Sequence, residues 1–386
     1  IKQELKDGIN GLLRAYATIV FLEKPFAGFV ILAASMFFPN LGIAGLVAAV
    51  TGLVVARLLS FPYIASGMHI FNSLLVGLSL GAFYRLDMHL LLLIILGAII
   101  AILLTVALSS ALWRYDALPV LSLPFVIVAM TMAFAARSYQ SLEYVAPSYT
   151  VDGAFISTSV DTFSSTLGAI YFLTHPAMGL VIFLLLLLHS RYLALLAVCG
   201  FAVGYSLLTS LTGNVYPNLA AWSGFNFALT AMAIGGVFII PGVASFVIAM
   251  VAAAIAALLT TALQNLLLGY GLPVMAFPFL LTSLTVMAAL RQRVGSRAPQ
   301  MAAVPGLPET NYERARLARV RGTGPGSMAL LAPFYGEWDI YQGFAGKHTH
   351  KGQWQYALDF YMLDDNRSYA GDGNRLEDFY CFGAPL

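Results

Sequence analysis

Long apolar runs separated by brief polar or Gly/Pro-bearing breaks dominate residues 10–295. They lie near 26–38, 42–59, 68–83, 88–112 and 118–136, and again near 177–188, 192–211, 225–240, 242–266 and 272–290. Runs of this kind predict helices in lipid. Several are shorter than the ~20 residues that carry a helix across a bilayer. Short, interrupted apolar segments at matching positions of two halves point to a transport site.

The halves match in order. Pro25-Phe-Ala-Gly28-Phe-Val30-Ile31 parallels Pro176-Ala-Met-Gly179-Leu-Val181-Ile182, 151 residues on. Ser66-Gly67 and Phe71-Asn72, with Leu75 and Gly81, parallel Ser223-Gly224 and Phe225-Asn226, with Leu229 and Gly235. Leu118-Pro-Val120 with Pro124-Phe125 parallels Leu272-Pro-Val274 with Pro278-Phe279, most of these positions being 154 residues apart. An internal duplication follows. With an odd number of spans per half, the second half is inverted, the pseudo-two-fold axis lies in the membrane plane, and the repeated motifs meet near mid-bilayer.

Composition narrows the class. Of 386 residues, 60% are hydrophobic and 10% charged, against roughly 25% charge in a soluble domain. Tyr192 to Leu290 contains no Asp, Glu, Lys, Arg or His. A disordered chain, a collagen and a nucleic-acid-binding protein are excluded on these grounds. Cys199 and Cys381 stand in unlike contexts and make neither a disulfide framework nor a cysteine zinc site. No signal peptide is visible in the mixed polar stretch Lys2 to Asn10, and the sequence, opening on Ile1, is expected to lack the native start. The expected organisation is a first transmembrane repeat over 9–146, a connector at 147–164, a second repeat over 165–292, a basic linker at 293–326, and a soluble unit at 327–386.

The duplicated Phe-Asn-(x)2-Leu element, the duplicated Leu-Pro-(x)4-Pro-Phe element and the Pro-x-x-Gly opening of each half resemble the urea transporter family over about residues 9–292. The resemblance implies an all-α polytopic membrane protein: two inverted repeats, each of five transmembrane helices plus a half-membrane pore helix. It also implies a homotrimer of independent pores and passive, channel-like urea flux with no cofactor.

Urea is flat, uncharged and dense in hydrogen-bonding groups, so a selective pore for it must be a slot, tuned by diameter and lining polarity. Phe71 and Phe225 would supply its faces, with Leu75 and Leu229 narrowing it; ordinary packing is the alternative for these rings. Asn72 and Asn226 would brace broken helices, because a buried amide in lipid needs partners. By the resemblance, Ser122 turns a hydroxyl toward the pore, with a bond to its own helix backbone as the alternative. Thr18 and Phe21, and Ala169 and Ile170, lie at the ends of the expected pore helices.

The sequence departs from the family pattern at Thr18 and Ala169, where an acid or amide is usual, and at Ala276, where a hydroxyl is usual. Each lost polar partner is worth about 1–3 kcal/mol to a desolvated urea. Lys24 and His175 replace an Asn before each motif proline and would form either solvated helix ends or a basic pore mouth. His69 reads as an interfacial histidine.

In the tail, Pro333-Phe-Tyr-Gly-Glu337-Trp338, His348-Thr-His350 and Tyr356-Ala-Leu-Asp359-Phe360 resemble the start of lysostaphin-like zinc endopeptidases, a short β-rich fragment. By that resemblance His350 and Asp359 are zinc ligands, with His348 as the substitute. No histidine follows His350, and a hydrolytic zinc site needs three protein ligands and an open position. The expectation is therefore an incomplete site, in a chain that natively continues past Leu386. Arg291, Arg293, Arg297, Arg314, Arg316, Arg319 and Arg321 against Glu309 and Glu313 place the linker in the cytoplasm, the wrong side for a wall hydrolase.

The sequence supports a passive urea channel of the bacterial inner membrane. No membrane segment carries the buried acid pair of a pump, and there is no phosphate-binding loop. The alternatives are a channel of the same fold for a short amide, ammonia or water, and a membrane anchor for a zinc peptidoglycan endopeptidase.

Overall fold

The computed structural model describes residues 2–62, 64–116, 118–145, 158–213, 222–293, 298–321 and 337–383. Much of the expected connector, Arg297 and the end of the expected basic linker lie outside these residues. The chain divides into two compact units, residues 1–326 and 327–386.

The first unit is helical. Its helices are α1 (Lys2–Thr18), α2 (Pro25–Ser35), α3 (Pro39–Leu58), α4 (Phe71–Phe83), α5 (Met88–Asp116) and α6 (Leu123–Ala136). Then come α7 (Thr158–Ala169), α8 (Pro176–His189), α9 (Arg191–Thr212), α10 (Phe225–Met232), α11 (Val243–Leu268), α12 (Phe277–Arg291) and α13 (Pro308–Val320). A π-helical turn, Ala233–Val237, extends α10. Prolines in the first turns of α2, α3, α6, α8, α12 and α13 sit where a missing N–H leaves no bond unmade.

Helices α3, α5, α9 and α11 are long and apolar enough to cross a membrane; α2, α4, α6, α8, α10 with its π turn, and α12 are shorter apolar helices. The long helices explain the composition. On α5, Leu92, Ile95, Leu96, Ile100 and Leu103 are exposed while Ala98, Ala101 and Thr105 are buried. On α11, Val247, Val251, Ile255 and Leu258 are exposed while Ala249, Ala252, Ala256 and Thr260 are buried. The outward faces of both helices are large and apolar, while small residues are prominent on the faces toward the protein, joined on α5 by Leu90, Ile94 and Ile102, an arrangement suited to lipid.

The breaks between helices recur at the duplicated positions. After α1 and α7 the chain turns through left-handed backbone at Phe21 (φ +61°) and Phe172 (φ +62°); before α6 and α12 it does so at Leu121 and Met275, both at φ +49°. Such a conformation opposes a side chain by roughly 1–2 kcal/mol, so four such residues in two pairs mark turns that the surrounding packing enforces. The glycines of the two Pro-x-x-Gly segments are also enforced. A Cβ on Gly28 would lie 1.6 Å from the Leu13 carbonyl oxygen, and one on Gly179 would lie 1.5 Å from that of Ser164. Thus α2 rests on the backbone of α1, and α8 on that of α7.

Helix α1 begins at Lys2, ahead of the expected first repeat, and α7 at Thr158, inside the expected connector. The expected basic linker contains a folded helix, α13, because Pro308 starts a turn whose Pro308 and Asn311 are buried.

The second unit holds one antiparallel strand pair, β1 (Asp339–Gln342) and β2 (Asp359–Tyr361), with a bulge between Ile340 and Gln342. Short 3-10 turns and bends make up most of its remaining described chain, so the expected β-rich fragment amounts to a small sheet.

Candidate functional site

Helices α4 and α10 both open on a Phe-Asn pair. On α4, Asn72, Ser73, Leu74 and Val76 are wholly inaccessible, while Phe71 and Leu75 keep 9% and 5% of their surface. On α10, Asn226, Phe227, Ala228 and Thr230 are wholly inaccessible, while Phe225 and Leu229 keep the same 9% and 5%. Positions i and i+4 stack on one helix face. Phe71 and Leu75 therefore share one face of α4, and Phe225 and Leu229 the matching face of α10. Leu121, Ser122, Met275 and Ala276 are almost but not wholly buried in the same way.

Asn72 and Asn226 are inaccessible, and each both donates and accepts. Asn72 donates from Nδ2 to the Leu121 carbonyl at 3.3 Å and accepts the Phe125 N–H at 3.3 Å. Asn226 donates to the carbonyls of Met275 and Ser223, both at 3.0 Å, and accepts the Phe279 N–H at 3.1 Å. Each amide bridges the left-handed residue and the first turn of the following box helix, where backbone N–H groups have no partner within the helix.

Thr18 ends α1 half-buried, its hydroxyl donating to the Arg14 carbonyl at 2.8 Å, so only its oxygen lone pairs are free to accept. Ala169 and Ile170, at the end of α7, are buried and offer no side-chain acceptor. Ser122 occupies the cap of α6 without a side-chain bond to that helix; Ala276 occupies the same place before α12. Lys24 and His175 are the N-cap residues of α2 and α8, and His175 accepts the Ala177 N–H at 3.2 Å.

The aromatic rings of the two left-handed turns cross between halves. Phe21 meets Phe238 at 6.1 Å and Phe279 at 6.4 Å, both edge-on. Phe172 meets Phe125 at 6.0 Å and Phe83 at 6.3 Å, also edge-on, with Trp222 beside it. Edge-to-face contacts hold ring orientation as well as area. Sequence reasoning picked Phe21 as a pore residue, named Phe125 and Phe279 only as members of the Leu-Pro boxes, and missed Phe172. The signal was present: Phe172 lies 151 residues after Phe21, the spacing that relates the two Pro-x-x-Gly segments.

In the second unit His350 and Asp359 do come together. His350 Nε2 lies 3.1 Å from Asp359 Oδ1, and its Nδ1 is 2.8 Å from the Gly343 carbonyl. Gln342 donates to Asp359 Oδ2 at 3.0 Å and to Thr349 Oγ1 at 2.9 Å. The Gly343 carbonyl, reinforced by Asp359, pushes the imidazole pKa above its ordinary value. A zinc ion does not fit these residues as they stand. Both His350 nitrogens face acceptors, and no third His, Cys, Asp or Glu joins the pair among the described residues. His348 instead stacks on Tyr341.

Comparison with known proteins bears on the first unit. The chain is 26% identical over 301 residues to Urea transporter 1 of Capra hircus, covering 73% of this chain and 77% of that protein. It is 27% identical over 294 residues to Urea transporter 1 of Mus musculus, covering 72% and 75%. The family model for urea transporters matches residues 9–291, which leaves the second unit outside the match. A multi-pass membrane protein with paired Phe-Asn and Leu-Pro boxes, matched over nearly three quarters of its length, belongs to the urea transporter family.

Proposed function

We propose that this protein lets urea cross the membrane passively through a slot between α4 and α10, faced by Phe71 and Phe225 and narrowed by Leu75 and Leu229. Family membership and relatives named Urea transporter 1 support the substrate. The observation that supports the slot is the matched slight accessibility of Phe71 and Leu75 on α4 and of Phe225 and Leu229 on α10. Two flat faces admit a planar solute edge-first and exclude a hydrated ion, which finds no charge to replace its water. Carbonyls at the ends of α1 and α7, lacking partners within their helices, would accept the urea N–H groups where Thr18, Ala169 and Ile170 offer little. Ser122 would add a hydroxyl on one side only, facing Ala276 on the other.

The paired turns at Phe21 and Phe172, and at Leu121 and Met275, support two inverted repeats, each with a pore helix, α1 or α7. We further propose a homotrimer in a bacterial inner membrane, the arginines at and beyond residue 291 lying on the cytoplasmic side. The membrane unit is no enzyme and needs no cofactor.

A second reading, a pore for another small neutral solute, draws on the apolar positions Ala169 and Ala276. The test is stopped-flow light scattering on proteoliposomes of the full chain, with urea, formamide, ammonia and water. Rapid urea equilibration that collapses in Phe71→Ala/Phe225→Ala is expected. Urea flux no faster than in empty liposomes, with another solute passing, would transfer the function to that solute.

A further inference from the structure

Each half ends its broken helix against a passing strand. Beyond α4, the chain at Tyr84 lies against Tyr144: the Arg85 N–H donates to Glu143 O at 2.9 Å and the Val145 N–H to Phe83 O at 2.8 Å. Asn40, at the start of α3, donates to the carbonyls of Gly81 and Tyr84 and accepts the Leu86 N–H. In the second half Ile239 lies against Met301 in the same manner: the Ile240 N–H donates to Gln300 O at 2.8 Å and the Ala302 N–H to Phe238 O at 2.9 Å.

The asparagine, however, comes from elsewhere. Helix α9 starts on Ser190-Arg191, not Pro-Asn. The amide is supplied by Asn311 of α13, which donates to Gly236 O and Val237 O at 2.8 Å and to Gly306 O at 3.0 Å. The Gly236 and Val237 carbonyls close a π turn, where the helical bonding register is shifted. Pro308 packs so closely that a Cβ on Gly236 would lie 2.6 Å from its ring. Glu309 accepts from Ser190 Oγ at 2.8 and 2.9 Å and from the Tyr192 N–H at 3.3 Å. Residues 298–311 thus complete a half that lacks its own Asn40, although the family match stops at residue 291.

We propose that residues 298–311 are a strap belonging to the permeation path, with Asn311 as its positioning residue. The strap holds the backbone on both sides of Ile239. It thereby fixes Phe238, one of the two rings against Phe21, and sets how wide a solute passes the end of pore helix α1, where Phe21 lies. This rests on the urea-permeation reading. Releasing the strap frees Phe238, leaves Phe21 with Phe279 alone, and relaxes discrimination between urea and the bulkier N-methylurea.

The test uses the full chain carrying Cys199→Ala/Cys381→Ser. Asn311→Ala should raise the N-methylurea to urea permeability ratio about threefold or more, part of the ~10-fold or more that one extra methylene is worth in a fitted site. A merely structural role would reduce the amount of active protein and leave that ratio alone. Ile239 and Met301 form a non-hydrogen-bonded antiparallel pair, whose Cα atoms lie about 4.5 Å apart, within disulfide reach. Adding Ile239→Cys/Met301→Cys to Asn311→Ala should restore the ratio when oxidised and release it when reduced. If Asn311→Ala does not assemble, Ala302→Pro removes one strap bond and should shift the ratio the same way. An unchanged ratio in whichever variant assembles overturns the proposal. Lack of urea flux in the parent chain counts instead against the permeation reading. The strap is then judged by maleimide labelling of Ile239→Cys, a fully buried position, which Asn311→Ala should accelerate; an unaltered rate overturns it.

Discussion

Asn226 donates to the carbonyl of Met275 at 3.0 Å, and Met275 is where the chain turns left-handed before α12. One buried amide thus fastens the turn that begins the second Leu-Pro box helix, and its oxygen holds the Phe279 N–H beyond it. Asn72 repeats the arrangement on Leu121 and Phe125 with bonds of 3.3 Å. The two asparagines space α6 from α4 and α12 from α10.

Removing either amide leaves a carbonyl and an N–H buried without a partner, at about 1–3 kcal/mol for each group. Asn226→Ala should destabilise more than Asn72→Ala, because its bonds are shorter and more numerous. Thermal unfolding of the purified protein in detergent measures both. Equal midpoints for the two variants and the parent would deny the bracing role.

The close approach of α2 to α1 and of α8 to α7 gives a sharper expectation. Gly28→Ala and Gly179→Ala each drive a methyl into a carbonyl oxygen, so both should abolish or gravely lower recovery of folded protein. At Gly269, with φ of −61°, an added Cβ meets nothing within 4 Å, and Gly269→Ala should change stability by no more than about 0.5 kcal/mol. Fluorescence-detected gel filtration separates these outcomes. A well-folded Gly179→Ala would show that the two helices can part.

Much of this was legible in the sequence, and the reasons are local. The Phe-Asn and Leu-Pro boxes recur at fixed spacing, so chain order alone pairs Phe71 with Phe225 and Asn72 with Asn226. Phe172 was legible by its 151-residue spacing from Phe21, but what holds its ring, the contacts with Phe83 and Phe125, is recorded by no periodicity along the chain. Residues 298–311 escaped for a related reason. An Arg-, Pro- and Gly-rich segment reads as a linker, and only the folded chain brings Asn311 to the π turn. In the tail, motif resemblance singled out His350 and Asp359 as metal ligands, and only the folded chain shows that each has the other as partner.

The lone hydroxyl of the boxes makes the slot unequal. Ser122→Ala should slow urea flux about fivefold, the effect of one hydrogen bond of about 1 kcal/mol. Ala276→Ser should raise it by a similar factor by restoring a second hydroxyl. Stopped-flow permeability per reconstituted protein decides. If neither variant alters urea flux, these hydroxyl positions do not touch the solute.

The second unit should respond to pH through His350. Protonated, the imidazole donates from Nδ1 to Gly343 O and from Nε2 to Asp359, and its folded-state pKa is raised above the ordinary 6.5. A group whose pKa is raised on folding binds protons more tightly in the folded state. Its contribution is therefore complete below about pH 6.5 and disappears as the pH climbs through the raised value. Hydrogen exchange on the full chain should show protection of β1 and β2 falling between neutral and mildly alkaline pH. Asp359→Asn keeps the size of the side chain but removes its charge, so it should lower the midpoint of that loss. Protection that stays level across the range, or a midpoint unmoved by Asp359→Asn, would mean that the His350–Asp359 pair does not hold the sheet. Urea permeability should be indifferent to the same titration, because no slot residue ionises.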